Sequence, residues 1–411
     1  FRDSGFASTA SYQSKVQRCS LIRKYKDRSM NIIIDVTRVV RRLIKGQTLT
    51  GIDRVTIAYV NYYGSRANAL VRWSGRSWVL SHAQSNALFQ WIANPSTVWA
   101  LRLIMLKGIF SKKSFSQNNT FLLNTGHIGL GQSDYTRLLH KYGAKAIFFV
   151  HDLIPLNYPE YCSAGEETRH RKKMDHVLKL ASGIITNSTA TLHDLQHYSQ
   201  QTNQNMPRAK TALLAPGIIM SPPGKRPIDK PYFVILSTIE PRKNHLLLLQ
   251  IWRSLYQRLG QQTPHLFVIG QRGWECENAL DLLERCQRLK NIVTEISYCP
   301  DSALINYIHH SQALLFPSFI EGYGLPLVEA LTLGTPVIAS DLSVFREIAG
   351  DIPEYIDPID GKRWEEMIIE YTRPNSVERS AQMMRMQSFK EPKWQDHFTE
   401  VDSLLGELSI I

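Results

Sequence analysis

The sequence predicts an α/β protein built from two doubly wound domains that face each other across a cleft. Three observations favour this fold class: a length of 411 residues, short apolar runs that alternate with helical stretches, and a turn-rich segment near the middle of the chain. A chain of this length with 43% apolar residues is long enough to form two hydrophobic cores. In open parallel sheets the ligand lies beyond the carboxyl ends of the strands, so we expect it between the domains.

Short β-branched runs recur along the chain and have the continuous apolar character of strands that are buried on both faces. These runs are NIIIDV (31–36), AIFFV (146–150), GIITN (183–187), YFVILS (232–237), LFVIG (266–270), ALLFPS (313–318) and PVIAS (336–340). Helical stretches such as EETRHRKKMDHVLKLA, NHLLLLQIWRSLYQRLG and ALDLLERCQRLK separate them. Alternating strands and helices favour parallel sheets that are flanked by helices.

The segment LLAPGIIMSPPGKRPIDKPY (213–232) is the richest in turn formers and marks the linker between the domains. We therefore expect an N-terminal domain over residues 30–215 and a C-terminal domain over residues 216–392. Residues 393–411 are expected to form a C-terminal helix that could pack back on the N-terminal domain. Residues 1–29 precede the first strand-like run, and we expect them to be a disordered extension.

The net charge of +12 is unevenly distributed, because residues 1–215 carry 29 basic and 11 acidic residues while residues 216–411 have a net charge of −6. A basic half attracts a polyanion such as nucleic acid, a phosphorylated substrate or an anionic bilayer. Five cysteines without zinc-site spacing or disulfide density are typical of reduced thiols in a cytosolic protein. The sequence has neither an apolar run long enough to span a membrane nor a signal-peptide core.

Two glutamates, Glu321 and Glu329, stand in FIEGYGLPLVEALTLGTPVIAS (319–340). The stretch predicts a turn and then a helix that begins near Pro326 and stops at Gly334. Free amides at such a helix start favour an anion, and carboxylates accept hydrogen bonds from vicinal hydroxyls, so the combination indicates a nucleotide sugar. The turn residues that would line the anion are Gly322, Tyr323, Gly324 and Leu325. For either glutamate alone, a solvated loop or helix-start acid is the simpler interpretation.

A second motif, STIEPRKN (237–244), presents Arg242 and Lys243 after a strand and before a helix that Asn244 could cap. Two cations at a helix start indicate a diphosphate site, because Arg offers a planar fork and Lys a point charge. Structural pairing of both cations with nearby acids is the alternative.

EPRKN (240–244), followed by PSFIEGYGLPLVEALTLGTPVIASDLSVFREIAGD (317–351), resembles the retaining glycosyltransferases of family 4. These enzymes have the GT-B fold, in which two Rossmann-like domains face each other, and the likeness runs in order over most of residues 30–400. In the first half, TGIDRV, NTGHIGL and FFVHDLIPLNYPEY resemble mannosyltransferases that build bacterial surface polysaccharides. Ser237 and Tyr323 depart from the family pattern, in which Gly and Phe are more common.

The resemblance implies a role for each motif residue. Glu321 would contact the donor hexose, Glu329 would hold the ribose hydroxyls, and Arg242 and Lys243 would stabilise the departing diphosphate. His151, which follows the strand AIFFV, matches a family residue near the sugar and the reacting phosphate, although a lone histidine in such a position is more often structural. The C-terminal domain would then bind the nucleotide sugar and the N-terminal domain the acceptor.

The resemblance also suggests two more donor-binding residues. Gly51, in TGIDRV, looks like the loop glycine that lets the diphosphate approach, whereas Asp53 and Arg54 beside it could equally be solvated charges at a helix start. Arg272, in GQRGWE (270–275), matches a family loop near the nucleotide base together with Trp274, or it belongs to a turn that the Trp packs.

Two residues are candidates for acceptor binding. His127 stands in NTGHIGL, and Asp152 follows His151. Asp152 could equally be a purely structural cap.

The expected activity is transfer of a hexose, with mannose favoured, from a nucleotide sugar such as GDP-mannose to a lipid-linked glycan in polysaccharide or lipopolysaccharide biosynthesis. Retention of the configuration of the transferred sugar is implied by the resemblance. No carboxylate stands out as the nucleophile of a double displacement, which favours a front-face reaction. The chain has no Asp-x-Asp triplet, so we expect neither a metal nor another cofactor: side-chain cations and a helix dipole would neutralise the diphosphate instead.

The segment STVWALRLIMLKGIFSKKSF (96–115) is too short to span a bilayer, yet it is apolar and cationic enough to lie in the membrane surface. A buried helix with snorkelling ends is the alternative. Together with the basic half, the segment predicts a cytoplasmic protein that is peripheral on the inner face of the cytoplasmic membrane and contacts anionic lipid.

Other classes of protein explain less of the sequence. A nucleic-acid-binding protein would account for the basic half, but the basic residues are not interleaved with stacking aromatics in a recognisable module. A nicotinamide dehydrogenase would need a strand leading into a G-x-G-x-x-G turn, which the chain lacks. A nucleotide-sugar-binding pseudoenzyme without transfer activity stays open, and a turnover assay separates it from the enzyme.

Overall fold

A computed structural model describes residues 30–47, 49–73, 75–110, 119–126, 134–217 and 222–410 of the chain. The expected disordered extension (1–29), the candidate His127 and part of the expected linker (218–221) lie outside the described residues.

The first sheet contains seven strands in the described ranges: β1 (Asn31–Asp35), β2 (Ala67–Trp73), β3 (Arg76–Val79), β4 (Thr120–Asn124), β5 (Ala144–Val150), β6 (Ala181–Thr186) and β7 (Arg208–Thr211). Their spatial order is β3-β2-β1-β4-β5-β6-β7. Neighbouring strands run parallel except at the β2–β3 edge, which is antiparallel. The strand order reverses between β1 and β4, where a doubly wound sheet opens a crevice.

The second sheet has six strands among the described residues: β8 (Tyr232–Leu236), β9 (His265–Ile269), β10 (Val293–Ile296), β11 (Leu314–Phe316), β12 (Val337–Ser340) and β13 (Glu354–Ile356). Their order is β10-β9-β8-β11-β12-β13, and all neighbouring pairs are parallel. The order of this sheet reverses between β8 and β11.

Helices separate the strands. In the described ranges they are α1 (Thr37–Ile44), α2 (Gly51–Tyr63), α3 (His82–Ala93), α4 (Val98–Phe110), α5 (Asp134–Tyr142), α6 (Ile154–Asn157), α7 (Glu166–Leu180), α8 (Thr189–Gln201), α9 (His245–Leu259), α10 (Glu277–Arg285), α11 (Asp301–His309), α12 (Leu325–Thr332), α13 (Ser343–Ala349), α14 (Gly361–Thr372), α15 (Val377–Met386) and α16 (Trp394–Ser409). None of these helices is long and apolar enough to cross a bilayer. We call the first sheet with α1–α8 the first lobe, and the second sheet with α9–α15 the second lobe.

Both sheets are buried on two faces, as the apolar runs predict. Ile32 and Ile34 of β1 belong to one hydrophobic core, whereas Ile33 between them belongs to another. Likewise, Val234 and Phe233 of β8 belong to two different cores. Successive side chains of a strand point to opposite faces, so each run must be apolar throughout. All seven predicted strands are confirmed, and so is the α/β class.

The last helix, α16, packs against β6 and β7 of the first lobe rather than against the second lobe, which precedes it in the chain. Phe398 is 2% exposed, and its ring stacks on that of Tyr62 with centroids 4.0 Å apart. The hydroxyls of Tyr62 and Tyr63 each donate to Asp402 over 2.7 Å. The carboxyl-terminal end of the chain therefore completes the core of the first lobe.

Candidate active site

The order of the second sheet brings the two sequence motifs together. Because β8 and β11 are neighbours, the loops that follow them meet at the reversal point of the sheet. The loop after β8 forms a 3-10 turn, Pro241–Lys243, and the loop after β11 carries Glu321. The amide of Phe319 donates to the carbonyl of Arg242 over 2.9 Å, which fastens one loop to the other.

Both predicted cations bind the carboxylate of Glu321. The ammonium of Lys243 lies 2.5 Å from Glu321 Oε1, and Nη1 of Arg242 lies 2.9 Å from Oε2. Nη1 of Arg242 also donates to the carbonyl of Ile320 over 2.9 Å. The structural alternative, in which both cations pair with nearby acids, is therefore present. The paired charges nevertheless lie at the edge of the sheet where a ligand is expected.

Burial and charge act against each other on these side chains. Burial raises the pKa of Glu321, but the charges of Lys243 and Arg242 outweigh it and lower that pKa to about 2. Burial lowers the pKa of the Lys243 ammonium, Arg242 lowers it further, and Glu321 opposes both. An anion that took the place of Glu321 would supply the negative charge that these partly buried cations need.

Glu240 is a member of the cluster that sequence reasoning did not single out. It is 4% exposed, and its Oε1 accepts from Nη2 of Arg242 over 2.7 Å. Burial raises its pKa, and Arg242 opposes this effect. Glu240 therefore holds one branch of the Arg242 guanidinium while Glu321 holds the other. Its position next to the PRK triplet was the available signal.

Asn244 lies at the N-cap position of α9 but does not cap it, so the expected capping role is wrong. Its backbone adopts the left-handed region with φ of 56°, which Asn tolerates. Its amide nitrogen donates to the carbonyl oxygens of Pro317 (3.2 Å) and Pro358 (2.8 Å). The side chain thus links the loops at the carboxyl edge of the sheet.

Glu329 lies on α12 at the linker side of the cluster. It is 4% exposed, and its Oε1 accepts from the amide of Gly217 over 3.1 Å. The side chain of Glu321 is 7% exposed. Neither glutamate is therefore a solvated surface acid.

The first lobe touches the second at Gly322. A Cβ added to this glycine would lie 2.6 Å from the carbonyl oxygen of His151 and 2.7 Å from Cβ of Asp152, so no larger residue fits. The carbonyl of Gly322 accepts from the hydroxyls of Ser188 (3.2 Å) and Thr191 (3.3 Å) in the first lobe. The three predicted residues His151, Asp152 and Gly322 are thus brought together.

His151 is 6% exposed and donates from Nε2 to the carbonyl of Thr125 over 2.7 Å. Burial lowers its pKa to about 4, and the hydrogen bond to Thr125 opposes this shift. The imidazole is therefore neutral near pH 7. Asp152 accepts the amide of Ile154 over 3.2 Å, which is the structural role left open for it.

The start of α2 meets the start of α12. A Cβ added to Gly51 would lie 2.9 Å from Cδ1 of Leu325, so two predicted donor-binding residues are in contact across the lobes. Arg54, in the first turn of α2, forms a bidentate ion pair with Asp301 of the second lobe at 2.9 and 2.7 Å.

Asp53 is buried, so the interpretation of this residue as a solvated charge is wrong. It forms a capping box with Thr50 and ion pairs with Arg38 (2.9 Å) and Arg42 (3.1 Å). These contacts hold the start of α2 against α1.

The second lobe matches a known family. Residues 220–370 correspond to the family described as glycosyl transferases group 1. The chain contains a group 1 glycosyltransferase domain. The matched range includes Arg242, Lys243, Glu321 and Glu329.

The chain is also similar to curated proteins that are named as mannosyltransferases. O-antigen chain mannosyltransferase B of Escherichia coli is 27% identical over 263 residues, which cover 62% of this chain and 68% of the relative. The serotype-specific mannosyltransferase WbdA of Escherichia coli is 28% identical over 224 residues, or 50% of this chain. The match spans only 27% of WbdA. The predicted resemblance to mannosyltransferases of bacterial surface polysaccharides is confirmed.

Solved structures show the fold of the group 1 glycosyltransferase domain and its partner lobe. Sucrose-phosphate synthase from Thermosynechococcus elongatus superposes with a TM-score of 0.58 at 14% identity, covering 92% of this chain and 99% of that protein. The superposition includes both lobes, so the predicted GT-B fold is confirmed.

Some of the predicted site residues lie outside the charge cluster. Arg272 is exposed and bound to Glu295 (2.8 Å at two nitrogens) and Glu284 (2.5 Å), so its guanidinium is held by surface acids. The side chain of Tyr323 is buried and donates to the carbonyl of Leu214 over 2.6 Å, which leaves only its backbone for a ligand. Gly324 is the N-cap of α12 with φ of +123°. Across the described residues, no three His, Cys, Asp or Glu side chains converge as metal ligands.

Proposed function

We propose that this protein is a retaining glycosyltransferase that moves a hexose, mannose, from GDP-mannose to a glycan. The observation that carries the proposal is the partly buried cluster of Arg242, Lys243 and Glu321 beside Gly322, where the lobes touch. A nucleotide sugar has a diphosphate for the cations and hydroxyls at both ends for the acids.

In the proposed reaction, the diphosphate takes the place of Glu321 on Arg242 and Lys243. The released carboxylate of Glu321 then accepts from hexose hydroxyls, while Glu329 accepts from the ribose. As the bond from the sugar to phosphate breaks, negative charge grows on the leaving oxygen, where both cations already point. Glu240 keeps Arg242 in place during the exchange, because it binds the other guanidinium nitrogen.

Retention follows from a front-face reaction in this proposal. The bond from the anomeric carbon to the phosphate oxygen breaks, a bond to the acceptor oxygen forms on the same face, and the acceptor proton passes to the leaving phosphate. The backbone of His151 lies beside Gly322, and in this proposal its neutral imidazole would contact the sugar without adding charge. The cations do the work that a metal would do, so the proposal includes no metal.

The acceptor in this proposal is a lipid-linked glycan of a surface polysaccharide or lipopolysaccharide at the cytoplasmic face of the membrane. O-antigen chain mannosyltransferase B of Escherichia coli and O-antigen chain mannosyltransferase RfbU of Salmonella typhimurium, which is 27% identical over 222 residues, support a glycan acceptor. The matched parts cover 68% or less of those relatives, so acceptor and linkage are proposed here for this chain alone.

The donor is tested by a thermal-shift screen of GDP-, UDP-, ADP- and dTDP-sugars, followed by turnover of the best donor with and without a chelator. We expect GDP-mannose to give the largest shift, since a ligand at 100 times its Kd stabilises a fold by about 2.7 kcal/mol. GMP, which lacks the second phosphate, is the control and should give less. Stabilisation by none of the sugars would count against the proposal, and binding without turnover would favour a pseudoenzyme.

Helix α4 supports the membrane contact of the proposal. Its outward face carries Trp99 (70% exposed), Leu103 (56%) and Leu106 (56%), which follow each other at helical spacing. Arg102 and Lys107 are exposed on the same helix, and the Arg102 guanidinium lies 4.9 Å from the Trp99 ring centroid. Residues 54–133 contain eight basic residues and no acidic one. An apolar face edged by cations fits an anionic bilayer surface.

The α4 face is tested with the double substitution Leu103→Glu and Leu106→Glu in a sedimentation assay. We expect about tenfold or more loss of binding to phosphatidylglycerol-containing vesicles, because each leucine that enters the bilayer contributes about 1.5–3 kcal/mol. Ile359→Glu is the matched control, since Ile359 is 76% exposed on the second lobe. Wild-type binding by the double variant, or binding that does not depend on anionic lipid, would contradict the proposed contact.

A further inference from the structure

Arg54 connects three parts of the chain that are far apart in sequence. It lies in α2 of the first lobe, and both of its terminal nitrogens bind the carboxylate of Asp301 at the start of α11 in the second lobe, at 2.9 and 2.7 Å. Nη1 also donates to the carbonyl of Gly217 in the crossing between the lobes, over 2.5 Å.

Gly217 links Arg54 to Glu329 through its two backbone hydrogen bonds. Its carbonyl is held by Arg54, and its amide donates to Glu329 Oε1 over 3.1 Å. A Cβ on Gly217 would lie 2.8 Å from Cδ of Arg54 and 3.3 Å from Oε1 of Glu329, so the residue is enclosed between the two side chains. One peptide segment therefore separates a cation of the first lobe from a buried acid of the second.

The geometry of these contacts points to positioning rather than to stability. The side chains of Arg54 and Asp301 are 25% and 31% exposed, and ion pairs with that access to water contribute little to folding. Glu329, by contrast, is 4% exposed, and the direction of a buried carboxylate is set by the donors around it. A separation of the lobes would take Arg54 away from Asp301, and Arg54 would then no longer hold the Gly217 carbonyl in this position.

We propose that Arg54 is a positioning residue that couples closure of the lobes to the grip of Glu329 on the nucleotide end of the donor. The inference rests on the proposed function, because Glu329 is taken to hold the nucleotide. According to this inference, the second lobe alone does not bind the nucleotide with full affinity. Arg54 of the first lobe positions the Gly217 amide, and that amide orients Glu329.

The test is a double-mutant cycle of Arg54→Gln and Glu329→Gln, with GDP affinity measured by calorimetry. Each single variant should weaken binding by about tenfold, and the double variant should be no weaker than Glu329→Gln within about twofold, because residues acting through one contact are not additive. In turnover, Arg54→Gln should raise the KM for the donor and leave kcat nearly unchanged. Gly217→Ala is a second variant, with the same expected loss, in case Arg54→Gln folds poorly.

Glu347→Gln is the matched control. Glu347 of the second lobe accepts from the amides of Thr189 (2.7 Å) and Ala190 (3.3 Å) at the start of α8, so it bridges the lobes without contacting Glu329. We expect wild-type GDP affinity for this variant. Additive losses of GDP affinity in the cycle, or an equal loss of affinity in Glu347→Gln, would overturn the coupling but not the assigned role of Glu329. Wild-type affinity in Glu329→Gln would overturn the assigned role of Glu329 and the coupling with it.

Discussion

Lys243→Ala is expected to lower kcat by about 10²–10³-fold, the usual cost of removing one preorganised donor from a site of developing charge. The side chain of Lys243 is 12% exposed, and its ammonium lies 2.5 Å from the carboxylate of Glu321, the group that the diphosphate would replace. Ground-state binding of the nucleotide should change much less, because Arg242 and Glu329 remain. The measurement is turnover at saturating donor together with GDP affinity.

Lys362→Ala is the control for this variant, because Lys362 belongs to the same lobe and its side chain is 88% exposed. It should turn over at the wild-type rate. Thermal unfolding of both variants checks that a loss of rate is not a loss of fold. Wild-type turnover in Lys243→Ala would remove its assigned role.

Gly322→Ala is expected to lower transfer by about 10²-fold or more. The added methyl would lie 2.6 Å from a backbone oxygen of His151, and a backbone atom cannot rotate away as a side chain can. The lobes must then move apart at this point, and a displacement of about 1 Å between reacting groups can cost about 10²-fold in rate. The measurement is kcat/KM for donor and acceptor in wild type and variant.

Gly334→Ala is the matched control within the same motif. Gly334 has φ of +74° and no atom within 4 Å of an added Cβ, so alanine is strained there but meets nothing. It should cost about 1 kcal/mol of stability and leave transfer intact. Full activity of Gly322→Ala would show that catalysis does not need this approach of the lobes.

The seven strands predicted from the sequence are all interior strands, but two other interior strands, β2 and β4, were not predicted, and neither were the edge strands. The runs of β1, β5 and β8 are apolar throughout because helices cover both faces of the sheet. The strands RAKT (β7), VTEI (β10) and EYI (β13) lie at sheet edges, where water reaches part of each strand and polar residues are tolerated. Their short mixed patterns do not differ from those of loops.

The charge cluster was predictable because its residues stand in two short motifs at the ends of recognisable strands. What local pattern cannot supply is the pairing over long separations. Arg54 and Asp301 are 247 residues apart, and nothing in TGIDRV indicates its partner. Gly217 lay in a segment rich in turn formers, which favoured a plain linker, whereas its amide and carbonyl both contact the site. Likewise, the burial of Asp53 depends on arginines from α1.

The return of α16 to the first lobe has a topological consequence. The polypeptide crosses the interface twice, near residues 212–231 and again between Met386 and Trp394, so two covalent tethers join the halves. A pair of tethers permits bending about the line that joins them and resists twisting. The first lobe is therefore not a contiguous piece of sequence, whereas the second lobe is. A fragment ending before Trp394 would leave the aromatic surface of Tyr59, Tyr62 and Tyr63 without its cover.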